Sequence, residues 1–85
     1  MLLFEHVPEL DLHGTDRDYA RFLTKEFIND NYKLRKERLL IIHGKGTGII
    51  KQTVHEVLAK DKRVLKYQLD LFNTGCTIVY LKRTS

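Results

Sequence analysis

The sequence predicts a small α+β domain with the element order β-α-β-α-β-β. Three observations predict it. Two segments of helical periodicity each follow a short strand that ends in His-Gly. Val64–Phe72 alternates apolar and polar residues, and beyond Asn73-Thr74-Gly75 a last apolar run, Cys76–Leu81, completes a hairpin pattern. The chain has 85 residues, enough for one core. Residues 1–8 read as a lead-in and residues 9–85 as one domain.

Pro8 disfavours a helix and suits the start of an edge strand. In Glu9–His13, Leu10 and Leu12 point to one face, Asp11 and His13 to the other. Thr15 is the expected N-cap of the first helix, with Asp16 and Asp18 in its first turn. Tyr19, Ala20, Leu23 and Phe27 form its apolar stripe, opposite Arg17, Arg21 and Lys25. Phe22 and Ile28 are expected to flank the core. The helix should end near Asn29-Asp30-Asn31, with Tyr32–Leu34 as an extension. Lys33, Arg35, Lys36 and Arg38 form a basic linker.

Leu39–His43 is apolar on both faces, as a central strand would be. In the second helix Ile50, Val54, Val57 and Leu58 make the buried stripe, with Lys51 and His55 together beside it. Lys60-Asp61-Lys62-Arg63 ends it. In the strand Val64–Phe72, Leu65, Tyr67, Leu69 and Leu71 oppose Lys66, Gln68 and Asp70. Asn73-Thr74-Gly75 is a turn.

Hydrophobic residues make up 42% and charged residues 31%, which excludes a disordered chain. The apolar runs are too short to span a membrane, and Met1-Leu2-Leu3-Phe4 does not resemble a signal peptide. With Cys76 as the single cysteine, a cytoplasmic location is expected. The net charge of +4 and pI of about 9.3 permit a polyanionic partner without demanding one.

The chemistry concentrates in His43-Gly44-Lys45-Gly46-Thr47-Gly48. Its glycines allow a sharp turn and close approach of a ligand. The helix that starts here offers free N–H groups and the positive end of its dipole to an anion. Lys45 adds a point charge. The spacing matches neither a Walker A loop nor Gly-x-Gly-x-x-Gly, so a nucleotide cofactor is not expected. A helical crossover makes the first two strands parallel. If they are neighbours, their C-terminal ends share a sheet edge ~4.8 Å apart, where open α/β sheets bind ligands. Asp11, His13, His43 and the loop would then converge.

An unperturbed imidazole titrates at about 6.5, so two of them can serve as general base and general acid. Asp11 can orient His13 or share in proton transfer. His6 and His55 have no such setting and read as surface residues. A carboxylate-rich two-metal site is not expected, because Asp11 is the only acid at the corner; a single divalent ion on the two histidines and Asp11 stays open. Cys76 is a poor choice of nucleophile, being far along the chain from either histidine.

Leu10-Asp11-Leu12-His13-Gly14 and His43–Gly48 together resemble the two signature motifs of the Smr (small MutS-related) domain. Gly75-Cys76-Thr77-Ile78-Val79 resembles its closing strand. The resemblance implies a two-layer fold like the C-terminal domain of bacterial translation initiation factor 3, with a mixed sheet of order 1-2-4-3 and both helices on one face. It implies DNA or RNA binding, frequently endonuclease activity, and an association with DNA repair. Asp11 and His13 would be catalytic, and His43 to Gly48 would serve nucleic-acid binding and cleavage. Two departures stand out. Ile50-Lys51 replaces a frequent Leu-Arg, and lysine lacks the planar fork that grips phosphate. The segment before Gly75 is short and poor in glycine. The ATPase portion of larger relatives is absent.

The resulting expectation is a nucleic-acid-binding protein with weak endonuclease activity and no small-molecule cofactor. Gly44, Lys45, Gly46, Thr47, Gly48 and Lys51 would hold phosphate; Asp11, His13 and His43 would move protons. The rivals are a non-catalytic DNA- or RNA-binding module and, less favoured, a small-phosphate or nucleotide enzyme.

Overall fold

A computed structural model describes residues 7–83; His6 lies outside them. The elements are β1 (Glu9–Asp11), α1 (Arg17–Lys33), β2 (Arg38–Ile42), α2 (Ile49–Lys60), β3 (Val64–Leu69) and β4 (Cys76–Leu81). The sheet order is β1-β2-β4-β3. β1 runs parallel to β2, with Leu10 opposite Ile41 and Asp11 opposite Ile42; the other two pairings are antiparallel. The expected order and the adjacency of the first two strands are both present.

Register explains the two layers. Leu39 faces Val79 and Ile41 faces Thr77, and all four are buried. They pack with Leu12, Ala20, Ile28, Val54, Val57 and Leu58 in one core between sheet and helices. The alternate residues Leu40, Ile42, Ile78 and Tyr80 are only half-buried, so both helices lie on one face. Burying a Leu or Ile contributes roughly 1.5–3 kcal/mol, which makes this face the one that fixes register.

Several boundaries differ from expectation, each for a local reason. The N-cap of α1 is Asp16, whose Oδ1 accepts the Tyr19 N–H at 2.8 Å. Thr15 is occupied otherwise: its hydroxyl donates to the Leu12 carbonyl at 2.7 Å, closing the turn after β1. The buried face of α1 is Ala20, Thr24, Ile28 and Asn31. Tyr19 is exposed, and Leu23 and Phe27 are half-buried. Thr24 and Asn31 can enter the core because they donate to carbonyls of their own helix, Ala20 at 2.7 Å and Phe27 at 2.9 Å. Ile28 is thus central rather than flanking, and Phe22 is 56% exposed instead of flanking the core.

α1 continues to Lys33 and stops without a glycine. Arg35 adopts φ 61°, the Arg35 N–H donates to the Tyr32 carbonyl, and the Lys36 N–H donates to the Asn31 carbonyl at 2.9 Å. This is a Schellman closure with arginine where glycine is usual. The end of α2 is pinned to α1 by Arg63. Its guanidinium donates to both Asp61 oxygens, at 3.0 and 2.9 Å, and to Asn29 Oδ1 at 2.9 Å. Arg63 holds the Asp61 carboxyl below its ordinary range.

β3 is shorter than the alternation suggests. A bulge between Val64 and Lys66 pushes Leu65 out to solvent. At the far end the Asp70 carboxylate accepts the Phe72 N–H at 3.0 Å, and the chain leaves the ladder after Leu69. Among the described residues no helix is long and apolar enough to cross a membrane.

Candidate nucleic-acid interface

The segment 43–48 leaves the sheet at the C-terminal end of β2 and enters α2. Gly48, at φ 86°, is the N-cap of α2 and occupies the left-handed region that a side chain would strain. A glycine cap has no side chain to satisfy the first N–H groups. Thr47 Oγ1 accepts only the Ile49 N–H, at 3.4 Å, and no acid sits in the first turn. The helix start therefore presents its N–H groups and positive dipole end outward, with Lys45 exposed in the same loop. Among the described residues no carboxylate forms an ion pair with Lys45 or Lys51.

The loop is braced from beneath by Gly75. The Gly75 carbonyl accepts both the His43 and the Gly44 N–H, each at 2.9 Å. The contact is close: a Cβ at Gly75 would stand 3.1 Å from Asn73 Oδ1 and 3.2 Å from Lys45 Cγ. The sequence shows Gly75 as a turn residue that leads the closing strand; its contact with the glycine loop is not legible there, because that loop is remote in the chain.

The first corner sits beside the loop on the neighbouring parallel strand. Asp11 and His13 are exposed and Leu12 is buried between them, as the alternation requires. The His13 N–H donates to Asp11 Oδ1 at 2.9 Å, and the Leu12 N–H donates to the Ile42 carbonyl at 2.8 Å. The first bond fixes the backbone that carries the His13 ring; the second ties that corner to β2. Where the two helix starts meet, Thr15, Asp16, Arg17 and Asp18 face Thr47, Ile49 and Ile50 across an open groove of about 530 Å³.

His43 has a different setting from the one expected. Its residue is 6% exposed, and both ring nitrogens are engaged within the fold. Nδ1 lies 3.0 Å from the Gly44 carbonyl and Nε2 lies 2.8 Å from Thr77 Oγ1. His55 Nε2 is also 2.8 Å from Thr77 Oγ1. A carbonyl only accepts, so His43 Nδ1 carries the proton. Thr77 then donates to His43 Nε2, and His55 Nε2 donates to Thr77. One directional chain runs from His55 through Thr77 to His43 and satisfies both nitrogens of the His43 ring. Burial holds both imidazoles below their ordinary value of 6.5; Lys51 lowers both further, and His43 also lowers His55. His55 is therefore no free surface residue: it also packs against Tyr67, ring centroids 5.0 Å apart.

Among the described residues no three His, Cys, Asp or Glu side chains are grouped to hold a metal ion. With its ring turned to Thr77, His43 does not join Asp11 and His13 as a ligand set. Cys76 is buried, and burial followed by the charges of Asp70, Glu9 and Asp11 pushes its thiol up, against a nucleophilic role.

Comparison with known proteins agrees with this architecture. The Smr domain model matches residues 10–82. Endonuclease MutS2 of Clostridium perfringens is 31% identical over 78 residues, covering 88% of this chain and 10% of that protein. Endonuclease MutS2 of Clostridium kluyveri is 36% identical over 76 residues, covering 86% and 10%. The chain thus spans about a tenth of the length of these relatives. The crystal structure of the Smr domain of Thermus thermophilus MutS2 superposes with a TM-score of 0.86 at 32% identity, covering 89% of this chain and 99% of that one. YdaL, a stand-alone small MutS-related protein from Escherichia coli, gives 0.84 at 25% identity, covering 88% and 64%. With both motifs on neighbouring strands and the family model spanning residues 10–82, this chain belongs to the Smr domain family.

Proposed function

We propose that this chain binds DNA or RNA at the joint corner of β1 and β2 and cleaves its phosphodiester backbone. The observation that carries the reading is the pairing of an exposed Asp11–His13 turn with a helix start whose glycine cap makes no side-chain hydrogen bond, at the end of the adjacent parallel strand. Gly44 to Gly48 and Lys45 would hold a phosphate, with Lys51 adding positive potential behind them. His13 would take the proton of the attacking hydroxyl or return one to the leaving oxygen. Asp11 would act as a positioning residue, because its Oδ1 holds the backbone of His13. His43 would serve through the loop it braces. The endonuclease relatives support the nuclease class, and the exposed histidine favours catalysis over binding alone, since phosphate binding by the loop does not need it.

Labelled RNA and DNA incubated with the wild-type chain and with Asp11→Ala/His13→Ala, with and without chelator, test the proposal. Cleavage by the wild type alone is expected. Equal cleavage by both proteins would leave a binding module. With RNA, a 2′-deoxy substitution at the scissile nucleotide asks whether the 2′-hydroxyl attacks; continued cleavage excludes that route.

A further inference from the structure

Leu71 and Phe72 are the most exposed large apolar side chains among the described residues, at 89% and 97%. The loop that carries them is firmly tied. The Asp70 N–H donates to the Cys76 carbonyl, the Phe72 N–H to Asp70 Oδ1 and the Cys76 N–H to the Asn73 carbonyl, each at 3.0 Å. Phe72 is thus held at its backbone while its ring meets solvent.

The same loop is bonded to the phosphate-holding loop through the Gly75 carbonyl, which accepts from His43 and Gly44. Phe72 precedes Gly75 by three positions. A nucleotide sets an anionic phosphate beside a flat, apolar base. The glycine loop and Lys45 suit the first, and an exposed aromatic ring suits the second. We infer that Phe72, flanked by Leu71, is a stacking platform for an unpaired base of the nucleic acid whose phosphate the glycine loop holds. The inference rests on the nucleic-acid reading above and narrows it to a substrate class. Bases inside a duplex are already stacked on both faces, so the platform selects single-stranded segments, gaps and splayed ends. Two apolar side chains beside a basic loop are a small target for a protein partner, whose interfaces require a broader patch.

The chain contains no tryptophan, so Phe72→Trp installs a single indole reporter. A short oligodeoxythymidylate should quench its emission. The same strand with abasic sites, or inorganic polyphosphate, should not. Phe72→Ala should lose about ten- to hundred-fold in affinity for the single strand and none for a blunt duplex, while Phe72→Trp retains affinity. Because the ring is solvent-exposed, the variants should fold as the wild type does. Unchanged single-strand binding by Phe72→Ala, or quenching by polyphosphate equal to that by the oligonucleotide, overturns the inference. Binding that is lost in Lys45→Ala yet kept in Phe72→Ala removes the stacking platform and leaves the nucleic-acid reading standing. A wild type that binds neither DNA nor RNA removes both.

Discussion

The rings of His43 and His55 meet edge-on, centroids 5.9 Å apart and planes at 89°, with the Thr77 hydroxyl within 2.8 Å of a nitrogen of each. This junction joins the start of the glycine loop, the middle of α2 and the second residue of β4. It puts a polar network in the core directly behind the glycine loop to which the proposed function assigns the phosphate.

Thr77→Val tests how much the network contributes. The shape is nearly kept, but His43 Nε2 loses its donor and His55 Nε2 its acceptor. A buried polar group left without a partner costs about 1–3 kcal/mol. Urea unfolding should show a loss of that order for Thr77→Val and a much smaller loss for Thr77→Ser, which keeps the hydroxyl.

The same junction sets a pH dependence. Both imidazoles have folded-state values below the unfolded 6.5. Below that pH the unfolded chain binds more protons than the folded one, so stability falls as pH falls. The contribution is intact above about 6.5 and is lost as pH descends through the lowered folded values. Thermal unfolding at stepped pH should show this decline, and His55→Gln should flatten it. A midpoint that rises on acidification through this range would contradict the assignment.

The parts of this structure legible in the sequence are those encoded locally. Alternation separates Leu10 and Leu12 from Asp11 and His13 as the burial does, and the helical crossover makes the first two strands parallel, while their adjacency follows from the order that the Smr resemblance implies. Of the α1 stripe, Ala20, Leu23 and Phe27 do pack in or against the core while Tyr19 is exposed. Thr24 and Asn31 are not legible as buried because they hide their polar groups in bonds to their own helix, which hydropathy does not register. The role of His55 depends on Thr77, twenty-two residues away on another element. Gly75 offered a signal in its motif, but its grip on the glycine loop is a tertiary contact. Leu71 continued the alternation in sequence; only the Asp70 turn shows why the strand stops before it.

Phosphate contacts should appear as a salt dependence. Each contact with duplex DNA contributes about 0.9 to the slope of log affinity against log salt, and about 0.7 with a single strand. Lys45→Ala should lower the slope by about one contact and weaken binding to all sequences alike. Lys51→Ala should lower affinity at low salt as well, because its charge lies behind the same loop. Titration of labelled oligonucleotide across a salt series measures both. An unchanged slope for Lys45→Ala would move the phosphate away from the loop.

Arg35 offers a stability test away from the site. At φ 61° its side chain pays the left-handed penalty, about 1–2 kcal/mol for a residue with a Cβ. Glycine removes that strain but gains freedom in the unfolded chain, an opposing term of roughly 0.4–1 kcal/mol. Arg35→Gly should therefore stabilise the fold by about 0.5–1 kcal/mol in chemical unfolding, since the strain relieved exceeds the entropy restored. Arg35→Ala keeps the Cβ and should show no such gain. If both variants changed stability equally, the effect would lie in the lost charge of the basic linker and not in the Schellman turn.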